Sequence, residues 1–407
     1  MCYLLHAVLT TFFTIVLTQS LNMAAESTKV HQNLSASCAA FSKVFYKELY
    51  VTSEENIVSS PLSIHMILSL LSHGAKSETL NALSTSLYHH DKNMIKEGYA
   101  DLVTVLNELK NITLHVANAI YIQEEFELLP EFLEIGTNTY KSVISKLDFK
   151  HKKEEAADEI NKWVEQITHH KISGLVSSDD FDEFSKLVLV NAIYFSGMWL
   201  KKFDVDQTQK KIFHTARGEK KMVATMFKKS RYNYGEIPLL DAKFIEIPYM
   251  NEDIVMTVLV PNEVDGLTNL QNKFSWEVLA NASRKNADIS LYLPRFEIEF
   301  TVDLDDILRK LGLENMFEDE ADFGDISNIP LKVSKVVHKA VIKVSEEGTE
   351  AAAATAVHMR LKRSFQRAEQ FLVDRPFMFI IEHKPNNIPL FIGNVKDLES
   401  ESKRDEL

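Results

Sequence analysis

The chain has 407 residues, 45% of them hydrophobic and 25% charged, an ordinary globular composition with length enough to bury a large core in one or two domains. Its 12 Gly and 10 Pro exclude collagen-like repeats and a long flexible linker. A formal net charge of -13 argues against a generic nucleic-acid or anionic-membrane binder and serves mainly solubility.

In chain order, the first element is an apolar run from Val8 to Leu17. It reads as a targeting segment: residues 1–20 form a signal peptide, with Ser20, Ala24 and Ala25 placing cleavage between 20 and 25. The run is short for a membrane span and nothing later resembles a second one, so no spanning segment is expected. Cys2 would leave with the peptide, which makes Cys38 the one remaining thiol and excludes an intramolecular disulfide. Asn33, Asn111 and Asn281 each open an Asn-x-Ser/Thr sequon, as a glycoprotein on a secretory route would carry.

Ser60-Pro61 opens a helix, Ser as cap and Pro in the first turn, with Ile64, Ile67, Leu68 and Leu71 on one face. A second amphipathic helix runs through Ala156, Ile160, Trp163, Val164 and Ile167. Leu187 to Phe195 is a continuous apolar run, the pattern of a strand buried on both faces of a large sheet. Strand-like segments follow at 244–247, 254–260, 289–293, 333–344, 378–381 and 390–395. Helices therefore dominate the first half and sheet the second, an α+β fold in which no linker marks a domain boundary. The tail from residue 399 to 407 ends in Arg404-Asp405-Glu406-Leu407, which matches a Lys/His-Asp-Glu-Leu retrieval address except at its variable first position. Such an address is read by a retrieval receptor. With the N-terminal segment it implies residence in the endoplasmic reticulum, with a secreted fraction allowed.

Catalytic constellations are missing. The 14 His residues form no metal spacing, and the pairs His89-His90 and His169-His170 read as surface polar residues. No phosphate-binding Gly-rich loop, dinucleotide fingerprint or nucleophile elbow is present, so neither an enzyme nor a cofactor or metal is expected. The stretch from Glu346 to Gln370 instead stands out. Four alanines, 351 to 354, are followed by His358, Arg360, Lys362, Arg363 and Arg367 with no hydrophobic periodicity to bury them, so it should lie outside the core. On propensity alone the Ala-rich part reads as helix, and a helical turn in the intact loop stays open.

Upstream of it, Val333 to Val344 runs into Ser-Glu-Glu-Gly-Thr-Glu-Ala-Ala-Ala-Ala-Thr-Ala, residues 345–356. This looks like the hinge of an inhibitory serpin. Ordered matches span nearly the whole chain: Asn56, Ser60-Pro61-Leu62-Ser63-Ile64, Gly74-Ala75, Asn118-Ala119, Ile160-Asn161 with Trp163-Val164, and Asn191-Ala192-Ile193-Tyr194-Phe195 with Gly197 and Trp199. Pro294-Arg295-Phe296, Asp374-Arg375-Pro376-Phe377 and Leu390-Phe391-Ile392-Gly393 complete them. The chain resembles the inhibitory serpins, and among them the furin-inhibiting serpins of invertebrates that are targeted to the endoplasmic reticulum.

The resemblance implies a metastable single domain over residues 26–398, with helices packed on large mixed sheets and an exposed reactive-centre loop at 346–370. It also implies a suicide mechanism. A protease attacks the loop and forms an acyl-enzyme, the hinge inserts as a new strand, and the trapped enzyme is distorted in a covalent complex. The hinge maps to Glu346, Glu347, Gly348, Thr349, Glu350, Ala351, Ala352, Ala353, Ala354 and Thr355. With period two, Thr349, Ala351, Ala353 and Thr355 share one face and Glu350 takes the other, so every inward position is small. Ser60, Ser63, Asn191 and His338 match the family's shutter, a polar cluster beneath the strands that part. Arg295 and Glu346 match a charge pair beside Trp199 where insertion starts; taken singly, each of these residues is as well explained by a satisfied polar group or a surface ion pair.

The address lies in Arg360-Leu361-Lys362-Arg363, followed by Ser364. Arg-x-Lys-Arg is the recognition pattern of furin-like proprotein convertases, whose carboxylate-rich clefts bind each basic side chain. The reactive bond is then Arg363-Ser364. The family's usual loop length, counted from Gly348, would place it after Lys362, and Arg367 is a further fallback. A trypsin-like protease needs only the terminal basic residue, so Arg360 discriminates the two. A third reading is a non-inhibitory chaperone of the kind that also ends in Arg-Asp-Glu-Leu, whose loop would not need the small-residue hinge. No basic helix suggests a glycosaminoglycan partner, and the inhibitor is expected to act as a monomer.

Overall fold

A computed structural model of the chain describes residues 2–349 and 369–400, with side chains from residue 27 on. Its helices are α1 (Cys2–Thr52), α2 (Pro61–Gly74), α3 (Ser77–Ser86), α4 (Lys92–Asn107), α5 (Pro130–Glu134), α6 (Lys153–Ile167), α7 (Leu267–Lys273), α8 (Trp276–Ala280) and α9 (Asp305–Leu308). The strands are β1 (Ile57–Ser59), β2 (Ile112–Gln123), β3 (Val143–Leu147), β4 (Leu187–Met198), β5 (Gln209–His214), β6 (Lys220–Ile237), β7 (Ala242–Pro248) and β8 (Ile254–Pro261). After them come β9 (Lys285–Pro294), β10 (Phe296–Asp303), β11 (Val333–Val344), β12 (Gly348–Thr349), β13 (Glu369–Leu372), β14 (Phe377–His383) and β15 (Ile388–Val395).

Among the described residues the strands form two sheets. One runs β1-β15-β14-β8-β7-β6-β9-β13 with β5 beside β6, and the other runs β10-β11-β12-β4-β2-β3. The helix opened by Ser60, α2, is buried along its whole length, its polar residues Ser63, His65, Ser69, Ser72 and His73 included, and packs against strands of both sheets. Its cap is the Ser60 hydroxyl, which accepts from the Ser63 N–H, with Pro61 in the first turn. The amphipathic helix α6 covers the far face of the second sheet, setting Ala156, Ile160 and Val164 against Val188, Val190, Val337 and Val341. β4 is thus covered on both faces, which is why its sequence reads as a continuous apolar run.

The backbone of α1 is one helix through the expected signal segment. Among the described residues no helix is long and apolar enough to cross a membrane. Asn111 and Asn281 are exposed, whereas Asn33 is half-buried on α1 and donates to the Lys29 carbonyl at 2.9 Å. His89 corrects the surface reading of the His pairs. It is half-buried, edge-on to His65 at 5.1 Å, and burial holds its pKa well below the ordinary histidine value.

Candidate functional site

The feature that organises the site is a seam in the second sheet. β4 and β11 are parallel neighbours in direct register from Leu187 opposite Val333 to Tyr194 opposite Val341. Beyond that point the two-residue strand β12 wedges between them, Thr349 opposite Val344 on one side and Gly197 on the other. It is antiparallel to both neighbours. A strand lengthening from β12 would exchange one parallel pairing for two antiparallel ones, which are somewhat more stable per residue.

Each residue at the wedge has a local reason. Gly348 adopts φ +150, and a Cβ there would fall 2.1 Å from the Gly197 carbonyl oxygen and 2.7 Å from Met198 Cα. Thr349 is fully buried, its hydroxyl 2.7 Å from that of Tyr249. Ser345 and Gly348 close a turn through reciprocal backbone bonds of 2.8 and 3.2 Å. Trp199 stacks on Tyr249 at 4.5 Å and fastens the turn twice: its N–H donates to the Glu347 carbonyl at 3.0 Å and its indole N–H to the Ser345 carbonyl at 2.9 Å.

The Glu346 side chain is only 5% exposed and accepts from Arg295 Nε at 2.7 and 2.8 Å, from the second guanidinium arm at 2.6 Å and from the Thr208 hydroxyl. Arg295 is 40% exposed. The pair is therefore neither a bland surface contact nor fully desolvated, and its forked geometry puts it among the stronger kind. Beside it Glu347 pairs with Lys202. Residues 346 to 349 thus lie in the top of the sheet rather than outside the core as the sequence suggested, because their backbone groups find ladder partners there and Thr349 is small enough to be covered.

Beneath the seam Ser60, Ser63, Asn191 and His338 converge in one buried network. The Ser63 hydroxyl donates to the Ser60 carbonyl at 3.1 Å and to Asn191 Oδ1 at 3.0 Å. His338 Nδ1 bonds the same Asn191 oxygen, and its Nε2 accepts from the Ser60 N–H at 3.4 Å, a pattern that fits one neutral tautomer. Burial lowers the His338 pKa to about 3, so the ring stays neutral. Since Asn191 is on β4 and His338 is directly opposite on β11, this bond spans the two strands that flank the seam.

Asn118, named among the family matches but given no role, stands opposite Asn191 on β2, accepts from its amide and donates to the Ser63 carbonyl at 3.5 Å. A buried Asn in an apolar strand was the available signal. Tyr249, Thr208 and Lys202 carried none, since only the fold brings them to the hinge. Cys38 is buried beside Tyr99 at 3.7 Å, and burial raises its thiol to about 12, which keeps it protonated and inert. Among the described residues no His, Cys, Asp and Glu cluster could hold a metal. Glu350, Ala351 to Ala354, Thr355, Arg360 to Ser364 and Arg404 to Leu407 lie outside the described residues.

Residues 36–398 match the family described as Serpin (serine protease inhibitor). The leukocyte elastase inhibitor of Bos taurus is 35% identical over 366 residues, covering 86% of this chain and 97% of its own. Serpin B4 of Homo sapiens is 34% identical, covering 89% of this chain and 98% of its own. Among solved structures, Serpin48 of the insect Tenebrio molitor aligns with a TM-score of 0.84 at 34% identity over 90% of this chain and 99% of its own.

Proposed function

Because the chain belongs to the serpin family of serine protease inhibitors, we propose that it traps furin-like proprotein convertases of the secretory pathway by the suicide-substrate route. The observation that carries the inhibitory part is β12, a hinge already seated as a strand between β4 and β11 with a small side chain facing inward. What supports the choice of target is Arg360-Leu361-Lys362-Arg363, where Arg360 adds a requirement that a trypsin-like cleft does not have. Cleavage falls between Arg363 and Ser364, the acyl bond to the protease forms on Arg363, and insertion from Thr349 onward carries the enzyme along the seam. The chain acts as a monomer in the lumen of the endoplasmic reticulum, retrieved through Arg404 to Leu407, with its glycans on exposed sequons. The seated hinge also weighs against a non-inhibitory chaperone role.

Mixing the purified chain with furin and with trypsin, then running denaturing gels, tests this. A covalent high-mass band is expected with furin. Arg360→Ala is expected to slow that complex by about 10- to 100-fold, the loss of one charged hydrogen-bonded contact, while trypsin is hardly affected. Mass spectrometry of the released C-terminal fragment distinguishes the Arg363-Ser364 bond from Lys362-Arg363. Cleavage by both enzymes without any complex would overturn the reading.

A further inference from the structure

Within a chain of net charge -13, residues 201–231 hold ten Lys or Arg against three Asp or Glu. They build the corner of the first sheet where β5, β6, β9 and β13 meet. Phe227 is opposite Tyr292 across β6 and β9 with ring centroids 4.9 Å apart, and Tyr292 is opposite Leu372 across β9 and β13. Leu372 is 41% exposed. By strand alternation Lys229 and Arg231 project from the same face as Phe227. Lys211 reaches that face as well, its ammonium 4.7 Å from the Tyr292 ring centre. Among the described residues neither Lys211, Lys229 nor Arg231 forms an ion pair within 4 Å; of the carboxylates on this face, Asp288 is opposite Arg231, and Glu246, opposite Asn233, is taken up by Arg284 and Lys384. An aromatic and leucine strip ringed by three cations has the composition of a protein contact rather than of a plain solvated face.

Chain geometry says what would cover it. Ser364 precedes Glu369, the first residue of β13, by five residues, so the bond before it lies within about 18 Å of this strand however the intervening chain runs. A protease domain of roughly 250 residues has a radius of gyration of about 18 Å. An enzyme engaged at that bond is large enough to reach the β6, β9 and β13 face. If its cleft reads several basic side chains, its rim is rich in carboxylates, the complement of this patch.

We propose that this face is a second, charge-steered contact for the protease that attacks the loop, selecting acidic-rimmed enzymes before the cleavage motif is read. The proposal rests on the convertase reading above. The test is the association rate for covalent complex formation with furin, measured between low and high salt for the parent chain and for a Lys211→Glu/Lys229→Glu variant. Thermal midpoints show that both are folded, and the number of inhibitor molecules consumed per trapped enzyme shows that both insert. The expected result is a slowing of about tenfold or more at low ionic strength that shrinks as salt rises. Equal rates and equal salt slopes in the two chains would overturn the proposal while leaving the convertase reading intact. No complex between the parent chain and furin would overturn both. Equal rates without heparin, with acceleration by heparin of the parent alone, would also overturn it and make the face a polysaccharide site.

Discussion

Thr349 concentrates the inhibitory chemistry at the scale of one side chain. It is fully buried, it faces the Tyr249 hydroxyl, and it is the first inward position of any strand that grows down the seam. Thr349→Arg would force an unpaired charge into this site, at a cost of several kcal/mol that insertion cannot recover. The variant is expected to be cleaved by its protease and released, with the covalent band on a denaturing gel lost and the rate of cleavage kept. A persistent covalent band would show that burial at this position is not needed for trapping. The alternation that marks Thr349 as inward was legible in the sequence. Its partner Tyr249, a hundred residues earlier, was not, because nothing local to either residue records their approach.

At the scale of elements, the hinge is held by a small set of contacts from three different strands and loops. Glu346 accepts from Nε and Nη2 of Arg295, one edge of the guanidinium, and from the Thr208 hydroxyl, while Trp199 fixes the backbone of the turn. Arg295→Ala leaves a nearly buried carboxylate with one hydroxyl donor. Charged hydrogen bonds of this kind contribute about 1.5–3 kcal/mol, and the 40% exposure of Arg295 places this one toward the lower end. The expected outcome is release of β12 from the top of the sheet, seen as a change in Trp199 fluorescence and faster proteolytic nicking near Glu347. Unchanged emission and nicking would assign the hinge's position to the ladder bonds alone. Elements whose faces are uniformly apolar or cleanly periodic, α2, α6, β4 and β11, could be read directly. β10 alternates buried and exposed residues over Phe296 to Phe300 and was readable but missed. β6 could hardly be read, since Lys228, Lys229 and Arg231 interrupt its buried positions on an exposed corner of the sheet.

Across the whole molecule, buried histidines couple stability to pH. Burial lowers His65 and His73 to about 4 and His338 to about 3, and depresses His89 in the same direction, against an unfolded value near 6.5. Above pH 6.5 these rings are neutral in both states and the native fold keeps its full stability. As pH falls from 6.5 toward 4 the unfolded chain takes up protons that the native state refuses, so stability declines, by up to about 1.4 kcal/mol per pH unit for each ring. Asp305 opposes them: burial and the neighbouring Asp303 raise its carboxyl to about 7, so the native state binds its proton more readily across this window. Four rings against one carboxyl still leave the net slope toward acid instability. Thermal midpoints should therefore show no loss between pH 7.5 and 6.5 and fall from there to pH 5, and a profile flat below pH 6.5 would contradict the burial of the cluster.

The sequence by itself determined the elements with uniform or regular burial, because each is written in neighbouring residues whose spacing has one physical reading. Only the tertiary structure decided that Glu346 to Thr349 already lie in the sheet, that His338 and Asn191 bridge the strands flanking the seam, and that a cationic face adjoins the end of the loop. Those facts depend on strand pairing between residues far apart in the chain, Phe227 with Tyr292, Tyr292 with Leu372, Asn191 with His338 and Gly197 with Thr349. Pairing at that range follows from how two sheets share one core, which no local pattern contains.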